Sequence, residues 1–344
     1  MQAFACPVCR SLVFFENFVC LTCNTELAFD RASQDIVARA GRPYCRNAGL
    51  ATCNWLAEPD AGGYCGSCRL TRTRPADDDT GAHAAFVRTE AAKRRLVFQL
   101  DHLGLPTTPR THDDDHGLAF DLLSSANEHV ITGHASGVVT IDLAEGDDPH
   151  REAMRVKLAE PYRTMLGHLR HEIGHWYWDV LVDGSPYLDR FRDLFGDERA
   201  DYQQALKEHY GRGTDTVEWV GGHVSHYAAS HPWEDWAETF AHYLHIRDTT
   251  QTAASWGLRT DGPDLDLSLA WDAALDVAPV EDPDTFDELA RQWLALKLVL
   301  NALNRSMGKD DLYPFVLTPV VLDKLRFAHV VITSHRAVGA GAGR

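Results

Sequence analysis

The sequence predicts an α+β protein in which a cysteine-rich, metal-folded region precedes a larger domain of one small sheet and many helices. Three observations carry this. All eight cysteines fall within the first 68 residues. Two β-branched runs flank a glycine-bounded turn at 130–143. From Pro149 onward the apolar spacing is repeatedly helical.

Cys6-Pro7-Val8-Cys9 and Cys20-Leu21-Thr22-Cys23 are two C-x2-C knuckles ten residues apart. That spacing suits a tetrahedral site of four thiolates, zinc before rubredoxin-like iron. Cys45, Cys53, Cys65 and Cys68 can form a second such site, although the Cys45–Cys53 spacing is loose and ligands could interleave between the two. A segment of about 70 residues is too short to fold on a core of its own and needs metal, so both zincs are read as structural. Residues 1–70 are therefore a zinc-ribbon region with two four-cysteine sites. Residues 71–82, a polar stretch with three Thr and three Asp, read as a linker; residues 83–335 form the main domain, and 336–344 a disordered Gly/Ala tail.

Within the main domain, 86–103 reads as a helix ending near Gly104 and Pro106. Residues 118–124 and 130–143 are strand candidates, the latter folding back at Gly133–Gly137 as a hairpin. Helices are expected from Pro149 to about 183 and over 197–210, 233–247, 285–306 and 319–333. The small sheet should be mostly antiparallel and pack on the helix that carries His171.

A formal charge of −17 disfavours nucleic acid as a partner, because phosphate contacts need Lys and Arg. Residues 1–74 hold eight Arg against six Asp or Glu, poor material for a DNA reader once two sets of thiolates are added. A protein partner suits the ribbon region better. The N-terminus lacks a secretory pattern and no apolar run approaches a membrane span, so a cytoplasmic, soluble chain is expected.

His171-Glu172-Ile173-Gly174-His175 is an HExxH motif. Residues four apart on a helix share a face, so both imidazoles can hold one metal, with Glu172 placed to take a proton from water. Tyr162, Met165, Leu166, Leu169, Ile173, Trp176 and Val180 follow one apolar stripe, and His168, His171, His175 and Asp179 another. His168 reads as a polar residue of the helix surface, and Asp179 as a carboxylate that either orients an imidazole or is solvated.

A catalytic zinc takes three protein ligands. One source of the third is Gly196-Asp197-Glu198-Arg199-Ala200-Asp201; the other, which we favour, is the helix after His231-Pro232. There Glu234, Glu238, His242 and His245 share a stripe, with Trp236, Phe240, Tyr243 and Leu244 as apolar anchors. Glu234 can bind metal while Glu238 orients an imidazole.

This acid arrangement resembles the third-ligand helix of gluzincin peptidases, the thermolysin-like group, and is closer still to the catalytic domain of anthrax lethal factor. The resemblance implies Glu234 as ligand, Glu238 as its supporting carboxylate, and Tyr227, seven residues before Glu234, as a donor to an oxyanion. The 59-residue gap from His175 to Glu234 exceeds that of thermolysin, which keeps Glu198 open. A longer resemblance, to bacterial zinc-binding metallopeptidases with an N-terminal zinc ribbon, rests on 160–168, 231–245 and 311–315 and spans nearly the whole chain. It implies a zincin-like peptidase domain. The expected activity is peptide-bond hydrolysis by metal-activated water with Glu172 as base, on a peptide or protein substrate, with three zinc ions per chain. The rival reading is a non-catalytic zinc-binding adaptor.

Overall fold

The computed structural model describes residues 1–111, 116–125, 130, 132–146, 164–212, 218–262 and 275–342. Their contacts divide into two compact units, one of residues 3–146 and 164–176, the other of residues 1–2 and 177–342. Mixed α+β character holds, with small sheets and seven helices among the described residues. Among the described residues no helix is long and apolar enough to cross a membrane.

The first unit opens with two short antiparallel ribbons, β1 (Phe4–Ala5) with β2 (Leu12–Val13), and β3 (Leu27–Asp30) with β4 (Asp35–Ala38). Arg10 and Asn24, each just past a knuckle cysteine, adopt φ of 64° and 58° and close the turns by donating their N–H to the carbonyls of Cys6 and Cys20. Between the ribbons lies an aromatic cluster of Phe15, Phe29 and Trp55, with Phe29 and Trp55 centroids 4.6 Å apart. Phe98 enters the same cluster, 5.1 Å from Phe15, from helix α1 (Thr80–His102). Asp79 caps α1 by accepting from the Ala82 N–H.

Within the stretch whose composition suggests a linker, Thr71–Thr73 form strand β5 and residue 80 begins α1. The larger sheet runs β5, β6 (Ala119–Leu123), β8 (Val138–Asp142), β7 (Gly133–Ala135). β5–β6 and β6–β8 are parallel, and only β7–β8 is antiparallel. The expectation of a mostly antiparallel sheet is thus corrected here. The cause is α1, which serves as the crossover between β5 and β6, and a helical crossover delivers parallel strands. The expected hairpin is present as β7–β8, turning at Ser136 and Gly137 with φ of 47° and 78°, the two positive values that a type I′ turn demands. A Cβ on Gly137 would also run into the Gly117 carbonyl.

Helix α2 (Met165–Leu181) carries the HExxH motif. Its expected start at Pro149, and the segment 160–163, lie outside the described residues. Met165, Leu169, Ile173 and Trp176 are buried as the spacing predicts, whereas Leu166 is half-buried and Val180, near the end of the helix, is exposed. The polar side is buried as well, with His171, Glu172 and His175 at 8%, 6% and 4% exposure. The expected division into a packed face and an open one is therefore too simple.

The second unit is mainly helical, with one short antiparallel pair of Thr260–Asp261 and Asp276–Val277. α3 (Leu188–Phe195) ends at Gly196, whose φ of 101° no longer continues a helix. α4 (Tyr202–Arg212) follows, capped by the Asp201 carboxylate on the Gln204 N–H. The single helix expected over 197–210 is thus shorter and starts later. Residues 197–201 are instead taken up by local pairing of Arg199 with Asp197 and Arg192 with Glu198. α5 (Pro232–Ser255) has Pro232 in its first turn. Trp236 of α5 packs among Phe191, Phe195 and Phe327, and Phe240 of the same helix sets its ring 5.6 Å from that of Trp236. α6 (Phe286–Ser306) and α7 (Pro319–Ala342) complete the unit. α7 runs on into the Gly/Ala stretch, where no proline interrupts it.

Candidate metal centre

The cysteines group as their spacing suggests: Cys6, Cys9, Cys20 and Cys23 form one cluster, and Cys45, Cys53, Cys65 and Cys68 another. Sγ–Sγ separations of 3.5 Å for Cys9–Cys20 and 3.7 Å for Cys53–Cys65 are far from a disulfide's ~2.05 Å. They are close to the ~3.8 Å edge of a tetrahedron with ~2.3 Å metal–sulfur bonds. Hydrogen bonds from the side chain and backbone of Ser11 pull the Cys9 thiol down to about 6. In the second cluster the Cys65 N–H donates to Cys45 Sγ and the Cys68 N–H to Cys65 Sγ, as suits thiolates. Both clusters fit zinc.

His171, His175 and Glu234 form the third group, with one ligand atom from each lying within 4.8 Å of the others. Two imidazoles and a carboxylate are a donor set that zinc accepts, and all three are buried. The HExxH spacing on α2 brings the imidazoles together, their rings 5.1 Å apart. Glu234 comes from the first turn of α5.

Glu172 is held by His168, one helical turn earlier: His168 Nε2 lies 3.0 Å from Glu172 Oε1. His168 Nδ1 lies 2.5 Å from Glu145 Oε2, on the short 3-10 turn Leu143–Gly146. A neutral imidazole has one N–H and could satisfy only one of these carboxylates, so the geometry calls for imidazolium. Burial opposes that charge, but Glu145 and Glu172 outweigh it and raise the His168 pKa to about 9. Burial likewise pushes the Glu172 pKa up, yet the His168 hydrogen bond and the charges of His168, His171 and His175 bring it below the usual value. Glu172 is thus an ionised carboxylate in a buried setting.

Glu234 Oε1 accepts a hydrogen bond of 2.6 Å from the Tyr202 hydroxyl. Glu238, one turn on, accepts one of 2.6 Å from the Ser225 hydroxyl. Tyr227 is half-buried and opens the 3-10 turn Tyr227–Ser230 that leads into α5. Glu198, the competing ligand, is engaged by Arg192 and joins none of the three groups. Asp179 is exposed. His242 and His245 turn to Tyr313, His242 Nδ1 by a 2.6 Å hydrogen bond and His245 by ring stacking at 5.3 Å.

Three participants were not read from the sequence. Glu145 lies 23 residues before its partner His168 and has no motif around it. Tyr202 lies 32 residues before Glu234. His134, in the hairpin, sets its ring 6.2 Å from that of His175; burial first, and then His175, push its pKa down to about 4. For His168 a signal existed, the i,i+4 spacing to Glu172.

The comparisons agree with this layout. A zinc-ribbon domain family matches residues 3–79. Uncharacterized proteins of Mycobacterium bovis and of two strains of Mycobacterium tuberculosis are each 50% identical over 337 residues, covering 96% of this chain and 95% of theirs. No solved structure matches the chain. Residues 82–331 match the family described as "Putative zinc-binding metallo-peptidase", and the chain belongs to that family.

Proposed function

We propose that the chain is a zinc-dependent peptidase with a gluzincin-type site: His171, His175 and Glu234 hold the metal and Glu172 is the general base. The convergence of those three ligand atoms around the HExxH helix is the observation that carries the reading. Zinc bound there would polarise a scissile carbonyl and make a water more acidic. Glu172, kept ionised and oriented by His168, takes a proton from the attacking water and returns it to the leaving nitrogen as the C–N bond breaks. By the likeness to lethal factor, Tyr227 donates a hydrogen bond to the developing oxyanion. Glu238, with Ser225 on its carboxylate, is the second acid of that pattern. The two cysteine clusters hold structural zincs. β7 is the outer strand of its sheet and carries His134, whose ring is near that of His175, so an extended peptide could pair along it.

The test is Glu172→Gln in the full chain. It should keep three zincs and lose about 100- to 10,000-fold of its activity on a peptide library. Zinc-dependent cleavage at the parental rate would remove Glu172 from the role of base. A second reading, a non-catalytic adaptor, draws on the first cysteine cluster, whose knuckle residues Val8 and Leu21 are 63% and 90% exposed. It predicts no zinc-dependent cleavage by the parental chain.

A further inference from the structure

We infer that Tyr202 is a positioning residue for the metal ligand Glu234, an inference that rests on the metal-centre reading above. The segment 196–201 is the sequence rival of α5 as ligand donor; the residue that follows it supplies a hydroxyl to the ligand instead. Tyr202 donates to Glu234 Oε1 at 2.6 Å. The tyrosine is itself held on several sides. His231, the residue that caps α5, accepts the Trp233 N–H at Nδ1 and, with its proton on Nε2, donates to the Ala200 carbonyl at 3.1 Å. The chain is thereby tied to the start of α5 two residues before Tyr202. The Tyr202 ring stands edge-on to His231 at 5.2 Å and to Trp233 at 6.3 Å. Asp201 caps the helix that Tyr202 begins.

A glutamate side chain has three rotatable bonds, and a ligand carboxylate that turns freely loses part of its binding energy to ordering. A hydrogen bond on one oxygen fixes the plane of the carboxylate before metal arrives. Groups that orient metal ligands in this way are worth about 10- to 100-fold in metal affinity.

The experiment is zinc titration of the full-length chain against a chelating dye of known affinity, with Co(II) absorption as a second probe of the site. Tyr202→Phe keeps the ring and removes the hydroxyl. The parental chain should bind three metals. Tyr202→Phe should weaken the third by about 10- to 100-fold, shift its cobalt bands and leave the two cysteine centres unchanged. In a Glu234→Gln background the same substitution should have no further effect, since Tyr202 acts through that carboxylate. Parental affinity and cobalt bands in Tyr202→Phe would overturn the inference and leave the metal centre standing. Equal weakening with and without Glu234 would also overturn it. If the parental chain and Glu234→Gln both held only two metals, the metal-centre reading would fall and this inference with it.

Discussion

In the first cysteine cluster Cys9 and Cys23 are part-exposed, and Leu21 at a knuckle tip stands 90% in solvent. In the second all four cysteines are buried, and α1 brings Glu90, Lys93 and Arg94, each at most 1% exposed, into the same interior. Glu90 Oε2 lies 3.6 Å from Cys68 Sγ. Lys93 Nζ lies 2.6 Å from Glu90 Oε1, and the Thr71 hydroxyl of β5 joins both. Burial works against the Arg94 charge, but Cys53, Glu90, Cys68 and Cys65 hold its pKa above the ordinary value. Four thiolates around a divalent ion leave two net negative charges. In the first cluster solvent can compensate them; in the second the interior must, and Lys93 and Arg94 of α1 supply positive charge there, shared with the Glu90 carboxyl. The same ligand chemistry therefore serves as a surface clip in one place and as part of the core in the other.

The largest effect expected from this contrast is on folding. Cys65→Ser should cost about 4 kcal/mol or more, since it removes a buried ligand and with it the metal that organises the interior. Cys9→Ser should release the first metal and leave α1 and its sheet folded. Chemical denaturation followed by circular dichroism, with zinc counted in each variant, checks both; equal losses would break the contrast.

A smaller effect is expected from the charges. Lys93→Met leaves Glu90 buried without its cation and should cost about 3–5 kcal/mol, whereas Glu90→Leu with Lys93→Met should recover most of that. Denaturation midpoints of the two variants decide it. A double variant as unstable as the single one would mean that the ion pair is not the source of the loss.

The smallest effect is one of pH. Metal uptake needs thiolates. Cys9 is drawn down to about 6 by Ser11, whereas burial raises the Cys65 thiol and the neighbouring Cys45 raises that of Cys53. Each metal-free cluster mixes lowered and raised thiols: Cys9 and Cys20 are lowered and Cys23 raised in the first, Cys45 and Cys68 lowered and Cys53 and Cys65 raised in the second. The raised thiols of the second go well above the ordinary value, so it holds its protons harder. Zinc added to the metal-free chain near pH 6.5 should therefore fill the first cluster before the second, and the order should fade as pH rises. Cobalt absorption in Cys9→Ser and Cys65→Ser separates the two signals; filling in the reverse order would contradict it.

The sequence carried the local features well. The HExxH helix, the β7–β8 hairpin and α5 with Pro232 depend on residues close together in the sequence, and each cysteine group falls within one continuous stretch that its knuckles mark. Glu234 was legible because its helix bears its own acid and aromatic pattern. The parallel pairing of β5 with β6 was not, because three residues of Thr-Arg-Thr carry no strand signature and pair with a segment beyond a 23-residue helix. Glu145 and Tyr202 stayed hidden for a related reason. Each touches a partner 23 or 32 residues away in the sequence, and a single Glu or Tyr has no periodicity to betray it. The buried Lys93 and Arg94 look in sequence like the polar face of an amphipathic helix, and only their surroundings show otherwise.

The hydroxyl of Thr71 has a consequence for anyone exchanging parts between relatives. It stands on the chain just after the last cysteine, yet its partners Glu90 and Lys93 are on α1. A ribbon transplanted with a junction at residue 70 would leave the whole trio behind and part it from Cys68, whose sulfur lies beside Glu90. A chimera should therefore be cut beyond α1, so that helix and ribbon travel as one piece.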